Sequence, residues 1–430
     1  MTVLITKTLA LSSFLPHKTL NPKKTNQCQC SFQDSIQIPT LQSNKQTERD
    51  LQFDAGDSFF RHESAVGRDL GVLAASLYKK SNGTLRVLDA MCGCGVRSLR
   101  YLVQAEADFV WANDANEECK GTILSNFENG GGVLESEGRW VVTHSDANRI
   151  MAECYLKRDF FDLIDIDSFG SNSSFFRSAY DSLKLDGLLY VTSTDGFSSG
   201  GHRPHHSLAS YGAYVRPMPY SNEVGLRMLI GGAVRDASVL GYHVSPLFSY
   251  YSYHGPVFRV MLLVNRGKLP ENRHYGFISY CNQCGNSQTI SWGDLGKICC
   301  PCSNGEVSRS LVVSGPLWTG PLHDTNYVTE MLNLAKQWRW AGAGTVTGLD
   351  LEKLLEKMIG ESDPKLPFGY IKLDQVAKRA KINSPPLGVM ITSLIKEGYA
   401  ATRSHIASNA IKTNCPMTRC IKIARELQQL

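Results

Sequence analysis

Nowhere in this chain is there a run of eighteen apolar side chains, so no segment is expected to span a bilayer. Cysteine is thinly spread. The thirteen present are diluted through 430 residues and only one group has metal spacing, which argues against a disulfide-stapled secreted scaffold and for a reducing compartment. Acidic residues are scarce at both ends. None occurs before Asp34, and from Lys365 to Leu430 only Asp374, Glu397 and Glu426 oppose eleven Lys and Arg, a surplus of +8. That surplus suits a polyanionic partner, or a solvated basic face. The first 45 residues also lack arginine. They carry Lys7, Lys18, Lys23 and Lys24 among many Ser, Thr, Asn and Gln. Such a segment reads as an organelle transit peptide, for chloroplast before mitochondrion, with a disordered terminus as the alternative.

What is there begins with Leu85-Arg86-Val87-Leu88-Asp89-Ala90-Met91-Cys92-Gly93-Cys94-Gly95. A short apolar run ends in Asp89, and two glycines then open a helix expected over 96–107. This is the first strand–turn–helix of a doubly wound α/β sheet, unless it is only a buried turn. Gly93 and Gly95 supply the positive φ and close backbone approach that a bound ligand needs. Ser98 stands where a dinucleotide fingerprint has its third glycine, which favours a smaller nucleoside ligand over NAD.

Strands and helices then alternate. After a helix expected from Phe59 to Tyr78, strands are expected at 85–89, 109–114, 140–146, 161–167 and 187–194. A helix over 223–240 precedes two more strands, 242–253 and 257–264, joined by the tight turn His254-Gly255-Pro256. Four strands end in acids: Asp89, Asp114, Asp146 and Asp167. Asp114 falls where a carboxylate accepts ribose hydroxyls; a lone strand-end acid is also often a helix N-cap. Arg68, inside the first helix, is either a surface charge or a fork for a ligand carboxylate.

The fourth strand end, Asp165-Ile166-Asp167-Ser168-Phe169-Gly170-Ser171, carries the chemistry. It resembles the Asp/Asn-Pro-Pro-Tyr/Phe motif of enzymes that methylate exocyclic amines. Such an amine is a poor nucleophile, because its lone pair is drawn into the ring. A carboxylate accepting its N–H returns electron density and holds it in line, without a metal. Asp167 is the candidate acceptor and Phe169 the candidate stacking partner, or else a core aromatic. Downstream, Cys281-x-x-Cys284 and Cys299-x-x-Cys302 have the spacing of a closed, structural zinc ribbon, with Cys300 blurring the register of the second pair.

Taken together, these residues resemble the tRNA guanosine-26 N2-methyl/dimethyltransferase family, from about Phe59 to the C-terminus. The resemblance includes Arg68-Asp69-Leu70, the Asp89 to Arg97 turn, Asn113-Asp114, Asp146-Ala147-Asn148 and the Asp167 motif. It continues through Thr194-Asp195-Gly196, Tyr211-Gly212, Glu223-x-x-x-Arg227, Gly315-Pro316-Leu317-Trp318 and Ile411-Lys412-Thr413-Asn414-Cys415-Pro416. It implies a class I S-adenosylmethionine-dependent methyltransferase, an α/β fold with a seven-stranded sheet over 46–268. It also implies an α+β C-terminal tRNA-binding domain over 269–430 carrying the four-cysteine zinc ribbon. By motif, Arg68, Arg97, Asp114, Asp146 and Ala147 would bind S-adenosyl-L-methionine, beside Asp89, Gly93 and Gly95 of the glycine turn. Asp167 would meet guanine N2 of the tRNA. Two departures stand out: Ser168 replaces a proline of the motif, and Asn222-Glu223 replaces the usual His-Glu. The alternatives are methylation of another exocyclic amine in RNA, or a tRNA-binding relative with weakened or lost activity. No membrane and no obligate protein partner is expected.

Overall fold

The computed structural model of the chain describes residues 44–130, 138–266, 274–303, 310–342 and 351–429. The expected transit peptide lies outside the described residues but for its last two positions. Residues Gln42–Leu430 form one compact unit. Among the described residues no helix is long and apolar enough to cross a membrane.

A hairpin, β1 (Lys45–Glu48) and β2 (Leu51–Asp54), leads to α1 (Ala65–Asn82). This helix starts six residues later than its apolar spacing suggested. Phe59 and Phe60 fit the helical count, but their rings pack elsewhere, Phe60 on Phe53 of the hairpin and Phe59 on Phe169. The helix ends where Gly83 turns left-handed at φ +80°. There follow β3 (Arg86–Asp89), α2 (Val96–Val103), β4 (Phe109–Asn113), α3 (Lys120–Asn129), β5 (Trp140–Thr143), α4 (Ala147–Lys157) and β6 (Phe161–Asp167). Next come α5 (Phe176–Ser182), β7 (Leu183–Ser193), α6 (Gly196–Ser199), α7 (Pro204–Tyr211), α8 (Ser221–Val239), β8 (Tyr242–Ser252) and β9 (Val257–Arg266).

These form one seven-stranded sheet in the order β5-β4-β3-β6-β7-β9-β8, with β9 antiparallel to both of its neighbours. The class and strand number are those expected from the sequence. Helices cover both faces, so central strands are buried throughout; in β6 only Asp167 at the end is not fully buried. Strand order reverses between β3 and β6, and a crevice opens at such a switch point beyond the strands' carboxyl ends. The acids at 89, 114, 146 and 167 therefore gather at one edge.

The second half carries a three-stranded antiparallel sheet of β10 (Tyr275–Cys281), β11 (Ser287–Ile290) and β12 (Leu311–Trp318). Then come α9 (Thr325–Gln337), α10 (Leu351–Glu361), β13 (Ile371–Lys372), α11 (Leu373–Ala380), α12 (Leu387–Lys396), β14 (Ala401–Arg403), β15 (Ala410–Thr413) and α13 (Met417–Gln428). The expected boundary at 268/269 falls outside the described residues, and apolar packing runs across it. Val328 and Met331 of α9 share a core with Leu70 and Leu73 of α1, and Ile278 and Leu317 share one with Leu229 and Ile230 of α8. Among the described residues, α11, α12, α13 and β15 close around a small separate core, through Val376, Leu394, Ile423 and Ile411.

A buried ionic clamp also joins the two halves. Glu223 on α8 is 2.8 Å from Arg227 and 2.9 Å from Lys412 on β15, and accepts the Gly369 N–H at 2.7 Å. Burial pushes the Glu223 carboxyl up, but Lys412 and Arg227 outweigh it and hold it below the ordinary glutamate range. Removing one partner of a buried pair strands the other charge, at about 3–5 kcal/mol. Urea unfolding should therefore show Glu223→Gln, which leaves both buried cations without their carboxylate, destabilised by roughly that amount, and Lys412→Met, in which Arg227 still pairs with Glu223, destabilised by less. A loss below about 1 kcal/mol in Glu223→Gln would remove the clamp from the account of how the halves are joined.

Candidate active site

The glycine turn shapes the floor of the crevice. Gly93 and Gly95 have φ of +56° and +80°. A Cβ at Gly93 would meet no atom within 4 Å, because that position faces open space, whereas one at Gly95 would press on Ile123 at 3.2 Å. Asp114 ties the turn to the end of β4: its carboxylate accepts the Gly93 N–H at 2.8 Å and the Asn116 N–H at 2.9 Å. Asp146 is the N-cap of α4, accepting the Arg149 N–H at 3.1 Å, and Ala147 is buried beside it. The cavity measures about 690 Å³, and Arg68, Gly93, Arg97, Asp114, Asp146, Ala147, Asp167 and Phe169 all line it. That is room for a nucleoside with its amino-acid arm and a base beside it.

Three expected ligand-facing groups prove to be engaged within the protein. Arg68 forks onto Glu48, with Nε–Oε2 2.9 Å, and also donates to the Arg61 carbonyl at 3.0 Å. Arg97 sends Nη1 to both oxygens of Asp165 at 2.8 Å and Nη2 to Asp167. Asp89 is fully buried beneath the cavity wall, where it accepts the Ser98 hydroxyl at 2.7 Å. Ser98, in the place of a dinucleotide glycine, thus anchors the first turn of α2 to the end of β3.

Arg97 sorts three carboxyls into different states. Asp167 has 29% of its side chain exposed. Burial raises its pKa, but Arg97 and then Arg259, whose Nη2 is 3.7 Å away, overcome that and hold it below the ordinary aspartate range. It is a carboxylate in neutral solution, with oxygen density open to the cavity. Asp165 is pushed up by burial against the pull of Arg97, and accepts a hydrogen bond from the Tyr101 hydroxyl at 2.8 Å. Asp89 is pushed up to about 8, first by burial and then by the neighbouring Asp165.

Phe169 is 71% exposed, not a core aromatic, and stands edge-on to Phe59, which is 64% exposed, with ring centroids 5.1 Å apart. Sequence reasoning missed Phe59 as a site residue, because it was counted into the helix. Ser168 takes the place of a proline, but the loop is held by β7 instead. Gly170 donates its N–H to Thr194 Oγ1 at 2.7 Å, its carbonyl accepts from Ser193 Oγ at 2.8 Å, and Asn172 Nδ2 reaches the Thr192 carbonyl at 3.3 Å.

The cysteine cluster needs one correction. The expected ligands were Cys281, Cys284, Cys299 and Cys302; the thiols that converge are those of Cys281, Cys284, Cys300 and Cys302. Cys299 is exposed, with its carbonyl held by Gln288 Nε2 at 2.8 Å, while Cys300 is buried and lies 3.3 Å from Cys284 and 3.3 Å from Cys302. The turn after β11 directs one of two adjacent cysteines inward and the other outward, a choice invisible in spacing. Cys281 and Cys302 are 3.7 Å apart. A tetrahedral thiolate site with Zn–S near 2.3 Å has sulfurs about 3.8 Å apart, so this donor set fits zinc.

The chain is similar to known proteins. A family model described as N2,N2-dimethylguanosine tRNA methyltransferase matches residues 41–425. A tRNA (guanine(26)-N(2))-dimethyltransferase of Thermococcus kodakarensis is 32% identical over 370 residues, covering 83% of this chain and 90% of that protein. The protein of the same description from Pyrococcus furiosus is 30% identical over 388 residues, covering 86% and 92%. Among solved structures, the complex of Trm1 from Pyrococcus horikoshii with S-adenosyl-L-methionine superposes with a TM-score of 0.71. It is 27% identical, covering 88% of this chain and 99% of that one.

The state of Asp89 has a measurable consequence. Its folded pKa of about 8 lies above the unfolded value, so between about pH 4 and 8 the folded chain holds a proton that the unfolded chain has released. Each pH unit in that window then removes about 1.4 kcal/mol of stability as pH rises. Asp89→Asn keeps an acceptor for Ser98 but cannot ionise. Its unfolding free energy should decline less than that of the unaltered chain from pH 5 to pH 8; parallel curves would mean that Asp89 is ionised throughout.

Proposed function

Since the chain belongs to the N2,N2-dimethylguanosine tRNA methyltransferase family, we propose that it transfers methyl groups from S-adenosyl-L-methionine to the exocyclic N2 of guanosine 26 in tRNA, giving N2-methyl- and N2,N2-dimethylguanosine. The observation that carries this reading is Asp167, an ionised carboxylate at the end of β6, beside an exposed aromatic pair and next to a glycine-floored cavity.

The sulfonium of S-adenosyl-L-methionine supplies an electrophilic methyl group when bound. Gly93, Asp114, Asp146 and Ala147, which line the cavity, are the residues that would hold it. Arg68 and Arg97 line it too but spend their guanidiniums on Glu48 and on Asp165 and Asp167, and so support the site from within, as Asp89 and Gly95 support the turn. The guanine must leave its stack to enter, and Phe59 and Phe169 offer ring faces to receive it. Asp167 accepts an N–H of the amine, which orients the nitrogen lone pair and enriches it. With its pKa held low, Asp167 works by charge and position rather than by storing a proton. The ammonium formed at nitrogen is acidic enough to release its proton to water. Arg97 fixes the carboxylate's direction. The hydrogen bonds from the Ser168 loop to β7 supply the stiffness that a proline would give, which favours an active enzyme over a binding relative that has lost its chemistry.

We further propose that residues 269–430, with their basic C-terminal surplus, bind tRNA through phosphate contacts, and that the converging thiols hold one structural zinc. The lysine-rich, acid-poor first 45 residues support import into an organelle, chloroplast before mitochondrion; a fluorescent protein fused after residue 45 would report the destination.

The direct test is methyl transfer from labelled S-adenosyl-L-methionine to unmodified tRNA, followed by digestion to nucleosides. Label in N2-methyl- or N2,N2-dimethylguanosine is expected; label in another nucleoside would reassign the acceptor. Asp167→Asn keeps the shape of the side chain but loses its charge. We expect kcat to fall by about a hundred- to a thousandfold with cofactor affinity retained; full activity would refute the role of that carboxylate. Metal analysis should find one zinc per chain, kept in Cys299→Ser and lost in Cys300→Ser. The reverse result would restore the register expected from spacing.

A further inference from the structure

Between Asp195 and Glu223 the chain contains no acid, yet carries Arg203, Arg216 and three of its eleven histidines, His202, His205 and His206. This stretch forms α6, α7 and the loops around them, and the structure places it at the rim of the cavity. Thr194, just before it, lines the cavity. A Cβ on Gly196 would lie 2.5 Å from Pro256, itself on the cavity wall, so α6 rests directly on that wall. The arm is rigidly built. Asp195 caps α6 by accepting the Ser198 N–H at 3.0 Å, and lies 3.4 Å from His206. Gly201, at φ +73°, lets the chain close onto Arg216 and Pro217, where a Cβ would meet the Pro217 nitrogen at 2.4 Å.

What this scaffold presents outward is basic and aromatic. Phe197 is 60% exposed, and the Arg203 guanidinium sits 4.7 Å from its ring centre. Edge contacts join His202 to Phe197 and His205 to Tyr214, which is also exposed. Arg216 is exposed beside them. Of the acids in this part of the chain, the flanking Asp195 and Glu223 are both buried, so neither offsets the arginines at the surface.

We propose that this arm is an RNA-contact surface: Arg203 and Arg216 take phosphates flanking the target nucleotide, and Phe197 stacks on a neighbouring base or sugar. The proposal rests on the functional reading above and locates a contact within it. A nucleotide that inserts its base at Asp167 must leave its own two phosphates at the rim. A surface of fixed cations alternating with ring faces is the chemistry that holds such a strand without reading its sequence. It also gives the methyltransferase half a grip on the tRNA separate from that of the C-terminal region.

The test uses the full chain and one unmodified tRNA, with affinity measured over a series of salt concentrations. Phe197→Ala should weaken binding about tenfold. Arg203→Gln and Arg216→Gln should each weaken it and flatten the dependence of log K on log salt by roughly 0.7–0.9 for each phosphate no longer neutralised. Arg203→Lys, which keeps the charge, should keep the salt slope. S-adenosyl-L-methionine affinity and melting temperature should stay at the values of the unaltered chain in all of them. If the triple Phe197→Ala/Arg203→Gln/Arg216→Gln chain binds tRNA with unchanged affinity and slope while the unaltered chain methylates that tRNA, the surface is refuted and the function stands. A triple variant that loses cofactor binding or thermal stability in step with tRNA binding would also refute it, since the arm would then be structural. An unaltered chain that binds this tRNA but methylates no guanosine would overturn the functional reading instead.

Discussion

Arg97 bridges Asp165 and Asp167, two carboxylates on one face of β6, from the first turn of α2. Neighbouring acids in so dry a place cannot all ionise without a shared cation, and Arg97 divides the charge among them. Asp167, at the strand end and touched by a second guanidinium, keeps its negative charge. Asp165 and Asp89, deeper in the sheet, are driven towards their neutral forms. One arginine therefore decides which carboxyl is available for chemistry and which serve as hydrogen-bonding struts. It also couples the glycine turn, which begins α2, to the motif that ends β6, so that the cavity floor and its reacting wall are held in fixed relation.

The rest of the molecule protects that relation. Arg100, one turn further along α2, is fully buried between Glu48 and Asp69, so the amino-terminal hairpin, α1 and α2 are locked by charge as well as by packing. On the far side, Glu223 collects Arg227 and Lys412, and Glu361 accepts both the N–H and the Nδ1 of His405. Buried pairs of this kind add little net stability over an apolar core of equal volume. What they add is register: each fixes the distance between elements that come from different parts of the chain. The cavity-lining residues come from many separate elements, so the shape of the cavity depends on such fixed spacing.

Much of this was legible in the residues. The alternation of apolar strands with helices, the acids at or just beyond four strand ends (Asp89 and Asp167 close theirs, Asp114 follows β4, and Asp146 caps α4 three residues after β5) and the paired glycines all reflect local constraints: side-chain period, hydrophobic burial and positive φ. Errors arose where a local signal had two tertiary solutions. Phe59 fitted a helical count, yet turned outward to Phe169. Cys299 fitted a two-residue spacing, yet the turn placed its neighbour Cys300 inward. Ser168 lacks the fixed φ of the proline it replaces, and hydrogen bonds from the end of β7, which no local pattern announces, hold the loop.

The sequence by itself determined the fold class, the order of the seven strands along the chain and the place of the cavity, between the glycine turn and the Asp167 motif. Each follows from residues close together in the chain, where geometry leaves few choices. Only the tertiary structure decided which partners the charged groups take. Arg68 belongs to Glu48, Arg97 to Asp165 and Asp167, and Lys412 to Glu223, at separations of 20 to about 190 positions. Nothing local to an arginine or lysine says which distant carboxylate will lie beside it. That is settled when the sheet and its helices pack, and a buried charge must find whichever partner the packing brings within reach.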